Sequence, residues 1–240
     1  MKFYDIQDGE NRIDVFNERW YYVNDKFYRN VTTILGIIHK GYNFDEWLKN
    51  NGHNSEIIMD RAGTFGTDFH SLIQKFLLGE TVSYYNHQAQ GEKYSTALWE
   101  RFCIWLDFWK ELNQKEVSYE QEDCEKIMIN KEYGYAGTLD FIATVDGVKT
   151  LFDWKSGNHI GNQEKLQMTA YMNMAGIDKA ILVHIPAVKP NKKGYRLTEV
   201  KYSQEGFDLF IATKKIFDME NRDEPKIKTL PIELSIETLK

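Results

Sequence analysis

Two aspartates flank a sharp turn in the sequence YAGTLDFIATVDGVKTLFDWKSG, which spans residues 135–157. Asp146-Gly147 stands between apolar runs, a pattern that predicts a β-hairpin with a two-residue turn. Such a turn fixes the register, so that Asp140 faces Asp153 on the neighbouring strand. Like charges in that position are destabilising unless a cation lies between them, and aspartate oxygens suit Mg²⁺ or Mn²⁺. The hairpin therefore predicts a divalent-metal site.

A solvated sheet face is the alternative interpretation of these aspartates, because surface carboxylates are common. Ile142 and Leu151 fall on the same face in this register, so that face is not simply exposed to water. Phe141 and Leu139 fall on the opposite face, which we expect to belong to the core. Lys155 shares the face of the two aspartates and is either a site residue or a surface lysine in a salt bridge.

Hydrophobic periodicity predicts the elements that must hold this hairpin. Apolar residues recur at helical spacing over residues 63–78, 92–113, 162–175 and 204–220, the last with Ser203 as N-cap. Strand-like runs cover residues 116–129, 135–145, 148–155 and 180–188. Residues 31–38 fit a strand or the start of a helix. This order predicts an α/β or mixed α+β fold in one domain.

Composition narrows the class of protein. The chain has 240 residues, 42% of them apolar, with 30 basic against 36 acidic side chains and a net charge of −6. These values exclude a disordered chain and a global positive field. Two cysteines, Cys103 and Cys124, cannot form a disulfide framework. The sequence lacks an apolar run of membrane-spanning length and an apolar signal region in its first twenty residues, so we expect a cytoplasmic protein.

Four motifs carry a family resemblance. Asp140 followed by Asp153-Trp154-Lys155 resembles the D…(D/E)xK pattern of the PD-(D/E)XK nuclease superfamily. The GTxxH, GxxD and QxxxY motifs of its RecB-like exonuclease branch resemble, in that order, residues 66–70, 137–140 and 167–171. Residues 29–35 (RNVTTIL) resemble the SVTxIL opening of phage-type and mitochondrial genome-maintenance exonucleases. The resemblance covers residues 28–220, approximately.

The resemblance implies a restriction-endonuclease-like core, in which helices flank a central mixed β-sheet. It implies a single nuclease domain over 1–240, with 1–60 as an N-terminal extension packed on the core. Leu139 stands where the literal motif has proline, as in many members of this branch. Two cysteines cannot supply the four-cysteine iron–sulfur cluster of the relatives that act in CRISPR adaptation.

The resemblance also implies residue roles. It makes His70 a metal ligand, although the residue alone would be interpreted as a structural histidine. The implied metal ligands are His70, Asp140, Asp153 and the backbone carbonyl of Trp154, for Mg²⁺ or Mn²⁺. The implied catalytic residues are Asp140, Asp153, Lys155, Gln167 and Tyr171. Glu122, on the preceding strand, is a further candidate that the spacing does not require.

Local charge bears on a nucleic-acid partner. Residues 181–201 hold five basic side chains against one acidic side chain, and their candidate phosphate-binding residues are Lys189, Lys192, Lys193 and Arg196. A solvated hairpin tip explains the same charges. Trp154 and Tyr171 are candidates for stacking on unpaired bases.

The expected function is a metal-dependent DNA exonuclease that hydrolyses phosphodiester bonds from strand ends, in recombination, repair or phage DNA processing. The expected substrate is DNA with a free single-stranded end. The alternatives are a structure-specific or restriction-like endonuclease of the same superfamily and a catalytically silent nucleic-acid-binding protein. Asp140, Asp153 and Lys155 argue against the silent protein, because a retired site has no reason to keep a repulsive carboxylate pair.

Overall fold

A computed structural model describes residues 2–3, 12–15, 18–23, 26–86, 92–221 and 231–233. The strands are β1 (Lys2–Phe3), β2 (Arg12–Val15), β3 (Glu18–Val23), β4 (Lys26–Asn30), β5 (Tyr85–Asn86), β6 (Glu92–Lys93), β7 (Val117–Ser118), β8 (Cys124–Asn130), β9 (Tyr135–Val145), β10 (Val148–Lys155), β11 (Lys179–His184), β12 (Arg196–Lys201) and β13 (Pro231–Glu233). The helices are α1 (Val31–Leu35), α2 (Tyr42–Asn51), α3 (Asn54–Leu77), α4 (Thr96–Leu112), α5 (Asn162–Ala175) and α6 (Gln204–Glu220).

The central sheet contains nine of these strands. The order β12-β11-β10-β9-β4-β3-β2 forms its main path, and β7 and β8 also pair with β9. The β10–β11 and β4–β9 pairs are parallel, whereas the β9–β10 and β8–β9 pairs are antiparallel. The sheet is therefore mixed, as predicted.

Helices cover both faces of this sheet. One apolar cluster joins the sheet to α1, α5 and α6 through residues such as Ile34, Met168 and Phe210. The other cluster joins the sheet to α3 and α4 through residues such as Phe69 and Trp105. The predicted α/β fold class, with a central mixed sheet flanked by helices, is confirmed.

The hairpin turn has the predicted register over the length of its ladder. Asp146 and Gly147 have φ values of 50° and 79°, the left-handed conformation that a type I′ turn requires. The ladder pairs Val145 with Val148 and ends where Phe141 pairs with Phe152.

The prediction that Leu139 shares a face with Phe141 is wrong. Leu139 packs in the cluster that contains Ile142, whereas Phe141 packs in the cluster on the other face. Side chains alternate between faces along a regular strand, so the shift marks an irregularity between residues 139 and 142. Glu125 lies opposite this point on β8 and has a φ of 48°.

Two helices match the sequence prediction closely. α5 covers residues 162–175, and α6 begins after Ser203, whose side chain accepts a hydrogen bond from the Gly206 N–H at 3.1 Å. Residues 31–35 form a helix because the Asn30 side chain caps them. α3 begins at Asn54 rather than at residue 63, so Gly63 lies inside the helix and does not mark its start.

The N-terminal segment contributes to the same sheet. β4 runs parallel to β9, pairing Arg29 with Tyr135 and Asn30 with Ala136. β3 continues the sheet from β4. A single domain over 1–240 with 1–60 as an extension stays a prediction, and residues 4–11 of that extension lie outside the described ranges. None of the described helices has the length and hydropathy that a membrane span requires.

β9 approaches α5 closely at Gly137. A Cβ atom added there would lie 2.4 Å from Tyr171 Cε1, a buried ring atom. We expect Gly137→Ala to lower the free energy of unfolding by about 1–3 kcal/mol, since the core is overpacked. Gly63→Ala is the matched control, because the added Cβ has no neighbour within 4 Å and replaces a helical glycine. It should stabilise by about 0.5–1 kcal/mol in the same urea titration. Equal effects of the two substitutions would contradict the close approach.

Candidate active site

The site lies where strands β4 and β10 separate along β9. Both β4 and β8 pair with β9 at residues 135 and 136, so they lie on opposite edges of it. β8 and β10 both pair with β9 at Phe141, so these two strands also lie on opposite edges of β9. β4 and β10 therefore share one edge of β9, and their described ladders leave residues 137–140 of that edge between them. Asp140 lies in this opening.

Asp140 takes over the role of the missing ladder partner. The Trp154 backbone N–H donates a buried hydrogen bond of 2.8 Å to Asp140 Oδ2. The predicted pairs Asp140–Asp153 and Thr138–Lys155 lie beyond the last ladder pair of the described hairpin. Thr138 instead exchanges a hydrogen bond of 2.8 Å with the Tyr21 hydroxyl of β3.

Three side chains from different elements converge on the opening. His70 Nδ1 lies 3.4 Å from Asp140 Oδ2 and 3.5 Å from Glu125 Oε1. One ligand atom from each of these residues lies within 4.8 Å of the others, so the group could hold a metal ion. The donor set fits the expected ion, because carboxylate oxygens suit Mg²⁺ and Mn²⁺, and Mn²⁺ also accepts imidazole.

Glu125 is a residue that sequence reasoning missed. The carboxylate considered on that stretch, Glu122, is exposed in a short 3-10 turn, Gln121–Asp123. Glu125 lies opposite Asp140 because β8 pairs Cys124 with Phe141 and Lys126 with Leu139. A longer connection joins β8 to β9, so the sequence contains no tight turn that would have fixed this register.

The carboxylates change the protonation of His70. Burial alone would lower the histidine pKa, but the charges of Asp140 and Glu125 raise the pKa of His70 to about 10. Burial raises the pKa of Asp140, and His70 reverses this so that the pKa is lowered overall. His70 Nε2 donates a hydrogen bond of 2.9 Å to the Trp154 carbonyl. The predicted carbonyl ligand thus lies beside His70, and its role as a ligand stays a prediction.

A second charged cluster adjoins the first. Lys155 Nζ lies 2.7 Å from Asp153 Oδ2 and donates a hydrogen bond of 3.1 Å to Gln167 Oε1. Gln167 Nε2 donates at 3.4 Å to Asp153 Oδ1, which closes a triangle of contacts. Burial raises the pKa of Asp153 to about 7. Burial would lower the pKa of Lys155, but the charges of Asp153 and Asp140 raise it, so the ammonium form persists.

Tyr171 and Trp154 have buried rings, so the expectation that they stack on bases is wrong. Their exposures are 2% and 1%. Tyr171 lies one helical turn after Gln167 on α5 and packs against Gly137. The Trp154 ring packs against Trp105 and Phe108 of α4. The structure thus brings Tyr171 to the wall of the site, and a catalytic role for its hydroxyl stays a prediction.

The basic residues of the β11–β12 connection lie on the surface. Lys189, Lys192, Lys193 and Arg196 are exposed. Lys193 Nζ lies 2.6 Å from Glu111 near the end of α4, so this ammonium already has an anionic partner. Gly194 packs against Ile104 of the same helix. The connection folds over α4, and phosphate binding by it stays a prediction.

Comparisons with known proteins give weak structural likenesses. No family model matches the chain, and no curated protein matches its sequence. An alkaline exonuclease from Laribacter hongkongensis is 10% identical, with a TM-score of 0.42 over 80% of this chain and 87% of that one. Its complex with dAMP is 13% identical, with a TM-score of 0.41 over the same shares. A phage-related exonuclease from Haemophilus somnus 129PT is 17% identical, with a TM-score of 0.34 over 63% of this chain and 80% of that one. Because the TM-scores are below 0.5, the side chains of the site must carry the functional argument.

Metal binding should release the His70 proton. A histidine with a pKa of about 10 is protonated at pH 8.5, and it must lose that proton to become a ligand. Calorimetric titration with Mn²⁺ at pH 8.5, in buffers of different ionisation enthalpy, should count about one proton released. His70→Gln should release fewer, and apparent Mn²⁺ affinity should rise with pH up to the His70 pKa only in the wild type.

Two aspartate variants control this titration. Asp140→Asn should lose most Mn²⁺ binding, because it removes one ligand of the His70–Glu125–Asp140 group. Asp146→Asn, in the exposed turn of the same hairpin, should bind Mn²⁺ like the wild type. Equal proton release from the wild type and His70→Gln would contradict the role of His70 as a ligand.

Proposed function

We propose that this protein is a metal-dependent nuclease that hydrolyses phosphodiester bonds of DNA, using Mg²⁺ or Mn²⁺. The observation that carries the proposal is the contiguity of two clusters. The ligand atoms of His70, Glu125 and Asp140 lie within 4.8 Å of one another, beside the ion pair of Asp153 and Lys155. Carboxylates that bind a divalent ion next to a buried ammonium form a site suited to an anionic phosphate ester.

The metal would be held by Asp140, Glu125 and His70, with Asp153 and the Trp154 carbonyl as the further expected ligands. When bound, such an ion polarises the phosphoryl oxygen and lowers the pKa of a bound water. The chain supports it by fixing the ligands through the backbone. Asp140 is held by the Trp154 N–H and His70 by the Trp154 carbonyl. Ligands oriented in this way need no rearrangement during the reaction.

Lys155 is the proposed catalytic cation. Its ammonium stays charged because Asp153 lies 2.7 Å away, and Gln167 fixes its direction at 3.1 Å. A fixed ammonium orients the attacking water and neutralises the charge that develops on the phosphate. Gln167 acts as a positioning residue, since its amide contacts both members of the ion pair.

We infer that the activity is exonucleolytic and that the substrate is DNA with a free single-stranded end. The four motifs resemble an end-processing branch, and a restriction-like enzyme needs elements that read bases in the major groove. The exposed basic side chains after β11 would contact phosphates without reading sequence. Recombination, repair or phage DNA processing are the processes that use such an activity. The endonuclease is the second candidate function, which the same site chemistry also supports.

Replacing Lys155 should remove cleavage while leaving Mn²⁺ binding in place. We expect Lys155→Ala to lower kcat at least about a hundredfold, because the ammonium acts on charge that develops in the transition state. Lys149→Ala is the matched control: Lys149 lies on the same strand and is exposed, so its loss should change kcat less than about twofold. A Lys155→Ala protein that is folded by thermal melting and cleaves within about tenfold of the wild type, or ~1.4 kcal/mol, would refute this role.

The requirement for an end separates the two candidate functions. End-labelled linear single strands should be degraded progressively with Mg²⁺ or Mn²⁺ and remain intact in EDTA. Circular single strands of the same sequence and supercoiled DNA should resist. Comparable initial rates on linear and circular single strands would support the endonuclease instead, and absence of cleavage with either metal would refute the nuclease.

A further inference from the structure

Arg101 is a half-buried arginine on α4 that lacks an acidic partner among the described residues. Burial lowers the pKa of Arg101, and no carboxylate of the described residues raises it again. Lys155 and Lys193, by contrast, each have a carboxylate within 2.7 Å. Withdrawing a cation from water without an anion is costly. A guanidinium in this environment is suited to bind an anion that does not belong to the chain.

Two contacts hold the guanidinium in a fixed direction. Arg101 Nη1 donates a hydrogen bond of 2.8 Å to the Ser156 carbonyl. The guanidinium carbon lies 4.3 Å from the centre of the Phe65 ring, so one flat face is covered by α3. An arginine has five N–H donors, and the described residues supply a partner for one of them. The remaining donors form a preoriented fork.

The fork lies next to the proposed metal group. His70 contacts the Trp154 carbonyl, and Arg101 contacts the carbonyl of Ser156, two residues farther along the chain. Gly66 lies one helical turn before His70 on α3, and a Cβ added there would lie 3.8 Å from Ser156 Oγ. One turn of helix and two residues of extended chain both measure roughly 5–7 Å. This separation is about the spacing of neighbouring phosphates along an extended single strand.

We propose that Arg101 is a substrate-binding residue that contacts the phosphodiester next to the scissile one, an assignment that rests on the proposed nuclease function. A planar guanidinium forms paired hydrogen bonds with phosphate oxygens, and a phosphodiester supplies the anion that the described chain lacks at this position. The contact does not distinguish one base from another, because it involves only the phosphate backbone of the DNA strand. It fixes the register of the strand, so that the next phosphate reaches the metal group.

The test removes the negative charge from the DNA in one experiment and the positive charge of Arg101 in another. The substrate is a linear single strand in which one phosphodiester is replaced by an uncharged methylphosphonate, placed on either side of the first cleaved bond. In the wild type, one of these neighbouring positions should lower kcat/KM about tenfold to a hundredfold. Arg101→Gln should show a similar loss on unmodified DNA and little further loss with the methylphosphonate at that position.

Salt dependence gives an independent readout. Each phosphate contact to a single strand contributes a slope of about 0.7 in the logarithm of affinity against the logarithm of salt. Anisotropy titrations in EDTA should therefore show a slope smaller by about 0.7 for Arg101→Gln. Lys110→Gln, an exposed lysine on the same helix paired with Asp107, is the control and should leave both readouts unchanged.

The outcomes separate this inference from the function on which it rests. If the wild type does not cleave the unmodified strand, the nuclease proposal fails. If the wild type cleaves but no neighbouring methylphosphonate slows it, the assignment of Arg101 is wrong and the nuclease stands, whether or not Arg101→Gln folds. A folded Arg101→Gln protein that stays fully sensitive to the methylphosphonate would overturn the assignment in the same way. Arg101→Lys, which keeps the charge but loses the fork, should recover part of the salt slope.

Discussion

The hydrogen bond from the Trp154 N–H to Asp140 is the interaction on which the site depends. A buried backbone donor needs a partner, and on β10 the ladder with β9 ends two residues before Trp154, at the Phe152–Phe141 pair. The Asp140 carboxylate provides that partner. It thereby links β9 to β10 beside the opening, and the same Oδ2 atom lies 3.4 Å from His70 Nδ1. The β4 and β10 ladders separate at this point, and the side chain that lies in the opening is also a candidate ligand.

The charges in the opening favour the binding of a cation. Asp140, Asp153 and Glu125 bring three carboxylates to it, against two cationic groups, His70 and Lys155. Without a metal, the imidazolium partly balances the carboxylates, which is why they raise the pKa of His70 to about 10. The stability from this pairing is full below the ordinary histidine pKa near 6.5 and is lost as pH rises through about 10. A divalent ion would replace that proton.

The sequence predicts best where local rules fix the geometry. Asp146-Gly147 sets the hairpin register, and Ser203 sets the start of α6, because both signals act within a few residues. The face on which Leu139 lies and the position of Glu125 do not follow from such local signals. The irregularity that places Leu139 on the other face has no local sequence signal, and the longer connection between β8 and β9 does not specify the register that places Glu125. The motif resemblance indicated His70 and Asp140, but Glu125, which lies beside them, comes from a strand that those motifs do not mark.

Backbone atoms, rather than side chains, organise the end of β10. Asp140 binds the Trp154 N–H, His70 binds the Trp154 carbonyl, and Arg101 binds the Ser156 carbonyl. The Trp154 ring is thus free to pack in the aromatic core beneath α4, where it is 1% exposed. Because side chains alternate along a strand, Asp153 and Lys155 then point to the opposite face, toward Gln167 of α5. β10 therefore packs in the core with one face and presents the charged pair on the other. Its main chain holds the candidate ligands. A substitution that shifts the register of β10 would disturb all three together.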